Sequence, residues 1–205
     1  IKESNNISSL KDPFESSINL KKINFNLPNL LYIATLTPRK CHLDLLEALS
    51  KTDVLFNVNL VGYPSDKKIL DLIQNKRTSN GNFIKSTINY FPELSQKELC
   101  NLLIHSAAYI STSINEGFGI PVLEAQIYNI PLIIRDININ RELFPKAKFF
   151  KSNTQLVDFL NDIVNISKFE VEERKKFVSK INEDNIGSRF NYSTLSKKLK
   201  KIFLT

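Results

Sequence analysis

Strand-length apolar runs alternate with helical stripes from Asn29 to Val164, and this alternation restricts the chain to one class of fold. Strands separated by helices pack as a parallel sheet joined by right-handed crossovers. Asn29–Leu36 is a continuous apolar run and reads as a first strand buried on both faces. Leu55–Val61 (closed by Gly62), Ile84–Phe91, Ala107–Thr112 and Pro131–Arg135 continue the series, and Ala147–Phe150 reads as a sixth, edge strand. Between them, His42–Lys51 carries the broad apolar stripe Leu43, Leu45, Leu46, Ala48 and Leu49. Asp66–Ile73 is a short helix. Ser95-Gln96-Lys97-Glu98 is a capping box opening a helix through Leu99, Leu102, Leu103 and Ile104, ended by His105. Thr154–Val164 is an amphipathic helix capped by Asn153. The expected fold is therefore α/β, a doubly wound parallel sheet of about six strands with helices on both faces. Its ligand site belongs at the carboxyl ends of the strands.

Two loops at those ends carry suitable chemistry. Asn115-Glu116-Gly117-Phe118-Gly119-Ile120-Pro121-Val122-Leu123-Glu124-Ala125 joins the fourth strand to a helix with apolar residues Val122, Leu123, Ala125 and Ile127. Gly117 and Gly119 tolerate positive φ and leave no Cβ in a ligand's way. Pro121 suits a first helical position, and no Ser, Thr, Asp or Asn directly precedes it as a cap. Uncapped N–H groups behind a glycine turn suit an anion, phosphate above all. Glu116 and Glu124 frame that place as acceptors for ribose or sugar hydroxyls, or else simply complement the helix dipole. The second loop, Thr37-Pro38-Arg39-Lys40, is a basic turn between the first strand and its helix, again the geometry of a phosphate site. Two solvated surface cations are the alternative reading there. The loops should converge, which is a consequence of the fold rather than of nearness in the chain.

Glu116-Gly-Phe-Gly-Ile-Pro-Val-Leu-Glu124 resembles the Glu-x7-Glu signature of retaining, GT-B fold glycosyltransferases of the GT4 type. Tyr90-Phe91-Pro92 with its Ser-led helix, Ala107-Ala108-Tyr109 and Asn129-Ile130-Pro131-Leu132-Ile133 fall where that family has equivalent elements, so the resemblance runs from about Leu30 to Ile163. It implies a Rossmann-like sheet that is one half of a GT-B fold, the C-terminal, donor-binding half. Residues 1–28 would be an arm arriving from an N-terminal domain, and residues 29–205 the nucleotide-sugar-binding domain with C-terminal helices over Val171–Ile181 and Tyr192–Phe203. The resemblance implies transfer of a sugar from a nucleotide-diphosphate sugar to a glycan or lipid-linked acceptor with retention, in surface polysaccharide synthesis. Glu116, Arg39 and Lys40 would be catalytic. Thr35, Gly117, Phe118, Gly119, Ile120, Glu124, Tyr90 and Phe91 would bind donor or nucleotide, the last two beside the nucleobase. Thr35 departs from the family, where a Gly-Arg pair commonly ends the first strand; Arg39 beside Lys40 would supply the lost guanidinium. Asp136 and Glu142 read as caps rather than cleft residues.

Composition narrows the partners. The net charge is +7 and the pI about 9.3, so a basic face would meet phosphates or an anionic membrane surface. Nucleic acid is the weaker reading and is not expected as a partner, because Lys and Arg are scattered and no aromatic–basic reader motif occurs. Lys197, Lys198, Lys200 and Lys201 read as a solvated helix face. Cys41 and Cys100 are too far apart for a metal or disulfide framework, which points to the cytoplasm, with peripheral association at the inner membrane face allowed. No Asp-x-Asp triplet offers a metal site, so metal independence is expected, with no cofactor beyond the nucleotide sugar. The chain starts without Met and contains none, which reads as a fragment or processed chain, inactive in transfer without an N-terminal acceptor domain. A nucleotide-binding subunit of a split transferase, a non-catalytic interaction domain and a GT-B epimerase remain as other readings.

Overall fold

A computed structural model of the chain describes residues 27–163. Six strands form one all-parallel sheet: β1 (Asn29–Ile33), β2 (Asn57–Val61), β3 (Thr87–Phe91), β4 (Ala108–Ser111), β5 (Leu132–Arg135) and β6 (Lys148–Phe150). The spatial order is β3-β2-β1-β4-β5-β6. The chain winds outward from β1 to β3, returns to the other side of β1, and winds outward again. The direction reverses between β1 and β4, so a crevice opens there at the carboxyl ends of both strands. The two sequence-predicted ligand loops are the ones that leave β1 and β4.

The helices are α1 (His42–Lys51), α2 (Lys67–Gln74), α3 (Gln96–His105), α4 (Ile120–Ile127), α5 (Asn138–Leu143) and α6 (Asn153–Asp162), with a 3-10 turn at Pro38–Lys40. α1 packs against α2 and α6, while α3 and α4 pack on the sheet itself. Right-handed crossovers put helices on opposite faces once the winding reverses. β2 and β4 are buried along their whole length, as a doubly covered sheet requires. Side-chain caps open three of these six helices. Asp66 accepts from the N–H groups of Lys68 and Ile69, and Ser95 and Glu98 form the reciprocal capping box. The cap of α6 is Ser152 rather than Asn153: Ser152 is extended and its hydroxyl accepts from the Gln155 N–H, while Asn153 is already helical.

Two features of the sheet go beyond apolar patterning. Asn29, Asn57 and Asn59 are buried in β1 and β2, and their amides connect with half-buried Asn89 of β3. Asn57 donates to Asn29, and Asn89 donates to Asn57 at 2.8 Å and to Asn59 at 3.0 Å. A slip of one residue would turn these amides to the other face and leave them unpaired, so the ladder holds three strands in register. Gly62 ends β2 at φ 150°, where an added Cβ would lie 2.2 Å from the Ala34 carbonyl oxygen. Only glycine lets β1 and β2 stay this close as they leave the sheet.

The arm expected over residues 1–28, apart from its last two residues, lies outside the described residues. So do the helices expected over Val171–Ile181 and Tyr192–Phe203. Among the described residues no helix is long and apolar enough to cross a membrane.

Candidate functional site

The turn after β1 is built by Pro38, which starts the 3-10 turn, and by Cys41, which ends it in the left-handed region at φ 49°. This reversal aims the Arg39 and Lys40 side chains back across the ends of the strands. Three hydroxyls hold the turn. Tyr32 of β1 donates to the Lys40 carbonyl. The Thr112 hydroxyl lies 3.0 Å from the Lys40 carbonyl and 2.7 Å from that of Cys41. The Ser113 hydroxyl lies 2.9 Å from the Asn115 carbonyl and 3.4 Å from that of Arg39.

The loop after β4 meets this turn directly. The Ile114 N–H donates to the Arg39 carbonyl at 3.1 Å, and Arg39 Nη1 donates to the Asn115 carbonyl at 3.3 Å. Lys40 Nζ lies 2.6 and 2.7 Å from the two carboxylate oxygens of Glu116. The predicted convergence is therefore realised, with Lys40 and Glu116 paired to each other. Gly119 precedes α4 at φ 67°, and α4 has no side-chain cap. Among the described residues the N–H groups of Gly117, Gly119 and Ile120 have no acceptor. Unpaired donors beside a lysine make a place where negative charge is stabilised.

Arg135, at the end of β5, braces both loops from behind. Its Nε donates to the Thr112 carbonyl at 2.8 Å, its Nη2 pairs with Asp44 of α1, and its guanidinium lies 5.1 Å from the Phe150 ring centroid. His42 packs under the turn, 1% exposed, stacked on Tyr32 with ring centroids 4.7 Å apart. Neither of its ring nitrogens has a partner of hydrogen-bonding geometry among the described residues. Burial, then the Lys40 charge, lower its pKa to about 4, opposed weakly by the Ala34 carbonyl, so the ring is neutral. Burial likewise pushes the Tyr32 and Tyr109 phenols above their ordinary range. Neither Thr112 nor Arg135 was legible as a site residue, because the carbonyls they hold lie 71–72 and 23 positions away in the chain.

The remaining predicted residues are placed unevenly. Gly117 does not take positive φ; it has open space where a Cβ would stand. α4 begins at Ile120, so Pro121 is its second residue and Glu124 lies beyond the first turn. Glu124 is half-buried, and burial raises its carboxyl above the ordinary glutamate range. Phe118 and Ile120 stand exposed at the rim, 38% and 46% respectively. Thr35 is exposed and enters no hydrogen bond among the described residues. Tyr90 and Phe91 end the edge strand β3 and are turned to β2: the Tyr90 hydroxyl donates to the Gly62 carbonyl at 2.8 Å, and the Phe91 carbonyl accepts from the Gly62 N–H at 2.9 Å. Asp136 is held by Arg141 and Lys151, and the position before α5 belongs to Ile137. His105 ends α3 as expected, its Nδ1 at 2.8 Å from the Asn101 carbonyl.

A doubly wound sheet with a cationic turn and a glycine loop meeting at its reversal point defines a Rossmann-like α/β domain, one half of a GT-B fold. The chain belongs to the family described as Glycosyl transferases group 1, matched over residues 15–184. Escherichia coli WbdA, a serotype-specific mannosyltransferase, is 28% identical over 137 residues, which is 64% of this chain and 16% of WbdA. Salmonella typhimurium RfbU, an O-antigen chain mannosyltransferase, is 28% identical over 105 residues, 50% of this chain and 30% of RfbU. The chain thus spans well under half the length of these relatives. Anabaena HepE, solved with UDP and glucose, superposes with a TM-score of 0.59 at 16% identity, over 87% of this chain and 48% of HepE.

Proposed function

We propose that this chain is the donor-binding half of a retaining glycosyltransferase that moves a hexose from a nucleotide-diphosphate sugar to a glycan or lipid-linked acceptor. The observation that carries the reading is the junction of the Arg39–Lys40 turn with the Glu116 loop at the sheet's reversal point. Arg39 and Lys40 neutralise the diphosphate. The free N–H groups of Gly117, Gly119 and Ile120 hold phosphate or donor-sugar oxygens. Glu116 accepts from sugar hydroxyls and Glu124 from the ribose. As the bond from the anomeric carbon to the phosphate oxygen breaks, charge accumulates on the leaving diphosphate. Fixed cations there stabilise the transition state more than the ground state. These two side chains supply the positive charge that a metal provides in other transferases, so the reaction is proposed to run without one. The mannosyltransferases WbdA and RfbU, the latter acting on O-antigen chains, support a mannosyl donor and a surface-polysaccharide product.

A second domain is part of the proposal, on this polypeptide or on a partner. Ile114, Phe118 and Ile120 are exposed apolar side chains on the strand-end rim, and a closing domain would cover them. The test is calorimetric titration with GDP, UDP and their mannose and glucose conjugates. Binding of one nucleotide diphosphate, abolished in an Arg39→Ala/Lys40→Ala variant, is the expected result. No binding, or equal binding by the variant, overturns the proposal.

A further inference from the structure

A groove of about 440 Å³ opens beside Glu116, lined by Ile114, Asn115, Glu116, Ile137, Asn138 and Ile139. It runs between the loop after β4 and the loop after β5. Because β4 lies between β1 and β5, the groove is on one side of the Glu116 loop and the Arg39–Lys40 turn is on the other. A ligand in the groove would lie across Glu116 from the diphosphate site.

The lining selects a ligand by its chemistry. Ile114 is 55% exposed, and Ile137 and Ile139 are half-buried, so the walls offer aliphatic surface. Asn115 and Asn138 are exposed, and among the described residues neither side-chain amide has a hydrogen-bond partner. Each amide offers two donors and an acceptor. The one charge in the lining is the Glu116 carboxylate, which Lys40 already holds through both oxygens. An anionic ligand would therefore face a carboxylate with no spare cation in the groove. A purely apolar ligand would strip water from two amides without replacing it. A neutral sugar ring fits both demands: its C–H faces cover the isoleucines and its hydroxyls exchange hydrogen bonds with the amides.

We propose that this groove is the subsite for a neutral sugar unit of the acceptor, presented to the donor across Glu116. The inference rests on the proposed function and adds the acceptor's chemical class: an uncharged sugar at its reactive end, neither phosphorylated nor uronic.

The test is an NMR titration of the whole chain, following the side-chain amides of Asn115 and Asn138, with and without a saturating nucleoside diphosphate. The probes are methyl α-mannoside and methyl α-glucoside against mannose 6-phosphate and methyl glucuronide. Saturable shifts of both amides with a neutral glycoside, and binding about tenfold weaker or worse for the charged sugars, are expected. In Asn138→Leu the glycoside shift at Asn115 should vanish while calorimetric nucleotide affinity is unchanged. Neutral glycosides that leave both amides unmoved, or charged sugars that bind as well, overturn the inference. Nucleotide binding is read separately, so its failure would sink the donor assignment and leave the glycoside result to stand or fall alone.

Discussion

Lys40 and Glu116 lie 76 positions apart in the chain, yet the lysine ammonium lies 2.6 and 2.7 Å from the two oxygens of the glutamate carboxylate. Their side chains are only 12% and 11% exposed, so each charge depends on the other for what water no longer provides. In the proposed reaction both must turn to substrate, one to phosphate and one to a sugar hydroxyl. Donor binding in that reaction would require the pair to open.

Breaking the pair from one side should cost more than removing both charges. Lys40→Ala should destabilise the fold by about 1–3 kcal/mol, between the values typical of exposed and of buried pairs. Adding Glu116→Gln to Lys40→Ala should recover part of that loss. Urea unfolding of the two single variants and the double variant gives the coupling energy directly, and simple additivity would contradict the reading.

Glu116→Gln alone should affect binding and turnover in opposite directions. The lysine no longer shares its charge with a carboxylate, so nucleoside diphosphate should bind more tightly by about 1 kcal/mol. Sugar transfer by the assembled enzyme should fall, since an amide accepts sugar hydroxyls less strongly. Calorimetry and a product assay read the two effects separately.

His42 should make the fold sensitive to acid. Its folded pKa of about 4 lies below the value of 6.5 for a free histidine. Between these two the unfolded chain binds the extra proton and the folded one does not. The His42 contribution is thus fully present above pH 6.5 and is lost as pH falls through the window down to about 4, amounting to up to about 3 kcal/mol. Unfolding midpoints measured across that window should fall with pH, and His42→Leu should flatten the slope.

The two loop glycines should respond differently to alanine. Gly119 sits at φ 67°, where a side chain is strained, so Gly119→Ala should cost about 1–2 kcal/mol. Gly117 has ordinary φ and open space, so Gly117→Ala should leave stability unchanged to within about 0.5 kcal/mol. Its new methyl would occupy the approach to the free N–H groups, and nucleotide affinity should drop. Thermal melts paired with nucleotide titration separate the two outcomes.

Arg135 reaches three elements at once, through Asp44, the Thr112 carbonyl and the Phe150 ring. Arg135→Leu should destabilise by about 2 kcal/mol. Arg135→Lys should recover little, because an ammonium cannot serve Asp44 and Thr112 with one planar fork. Equal stability of Arg135→Lys and the parent chain in urea would refute that role.

Much of the fold could be read along the chain because its causes are local. Apolar periodicity marks all six strands, the Ser95–Glu98 capping box appears as written, and Gly119 takes the turn its neighbours demand. Reading failed where two local choices were equally good. Ser152 and Asn153 both cap helices, and only the backbone path selects Ser152. The Asn29–Asn57–Asn89 ladder was invisible for a related reason: an asparagine in an apolar run looks like a defect until its partner strands are placed beside it.

The sequence by itself determined the class of fold, the two loops that matter, and the residue types in them. It did so because helix and strand periods, caps and glycine turns are set by neighbours a few positions away. Only the tertiary structure decided that Lys40 would pair with Glu116, that Thr112 and Arg135 would brace the turn, and that the Tyr90 hydroxyl would donate to the Gly62 carbonyl. Those contacts join segments brought together by the strand order, and a reversal of winding between β1 and β4 is a property of the whole sheet, not of any stretch within it.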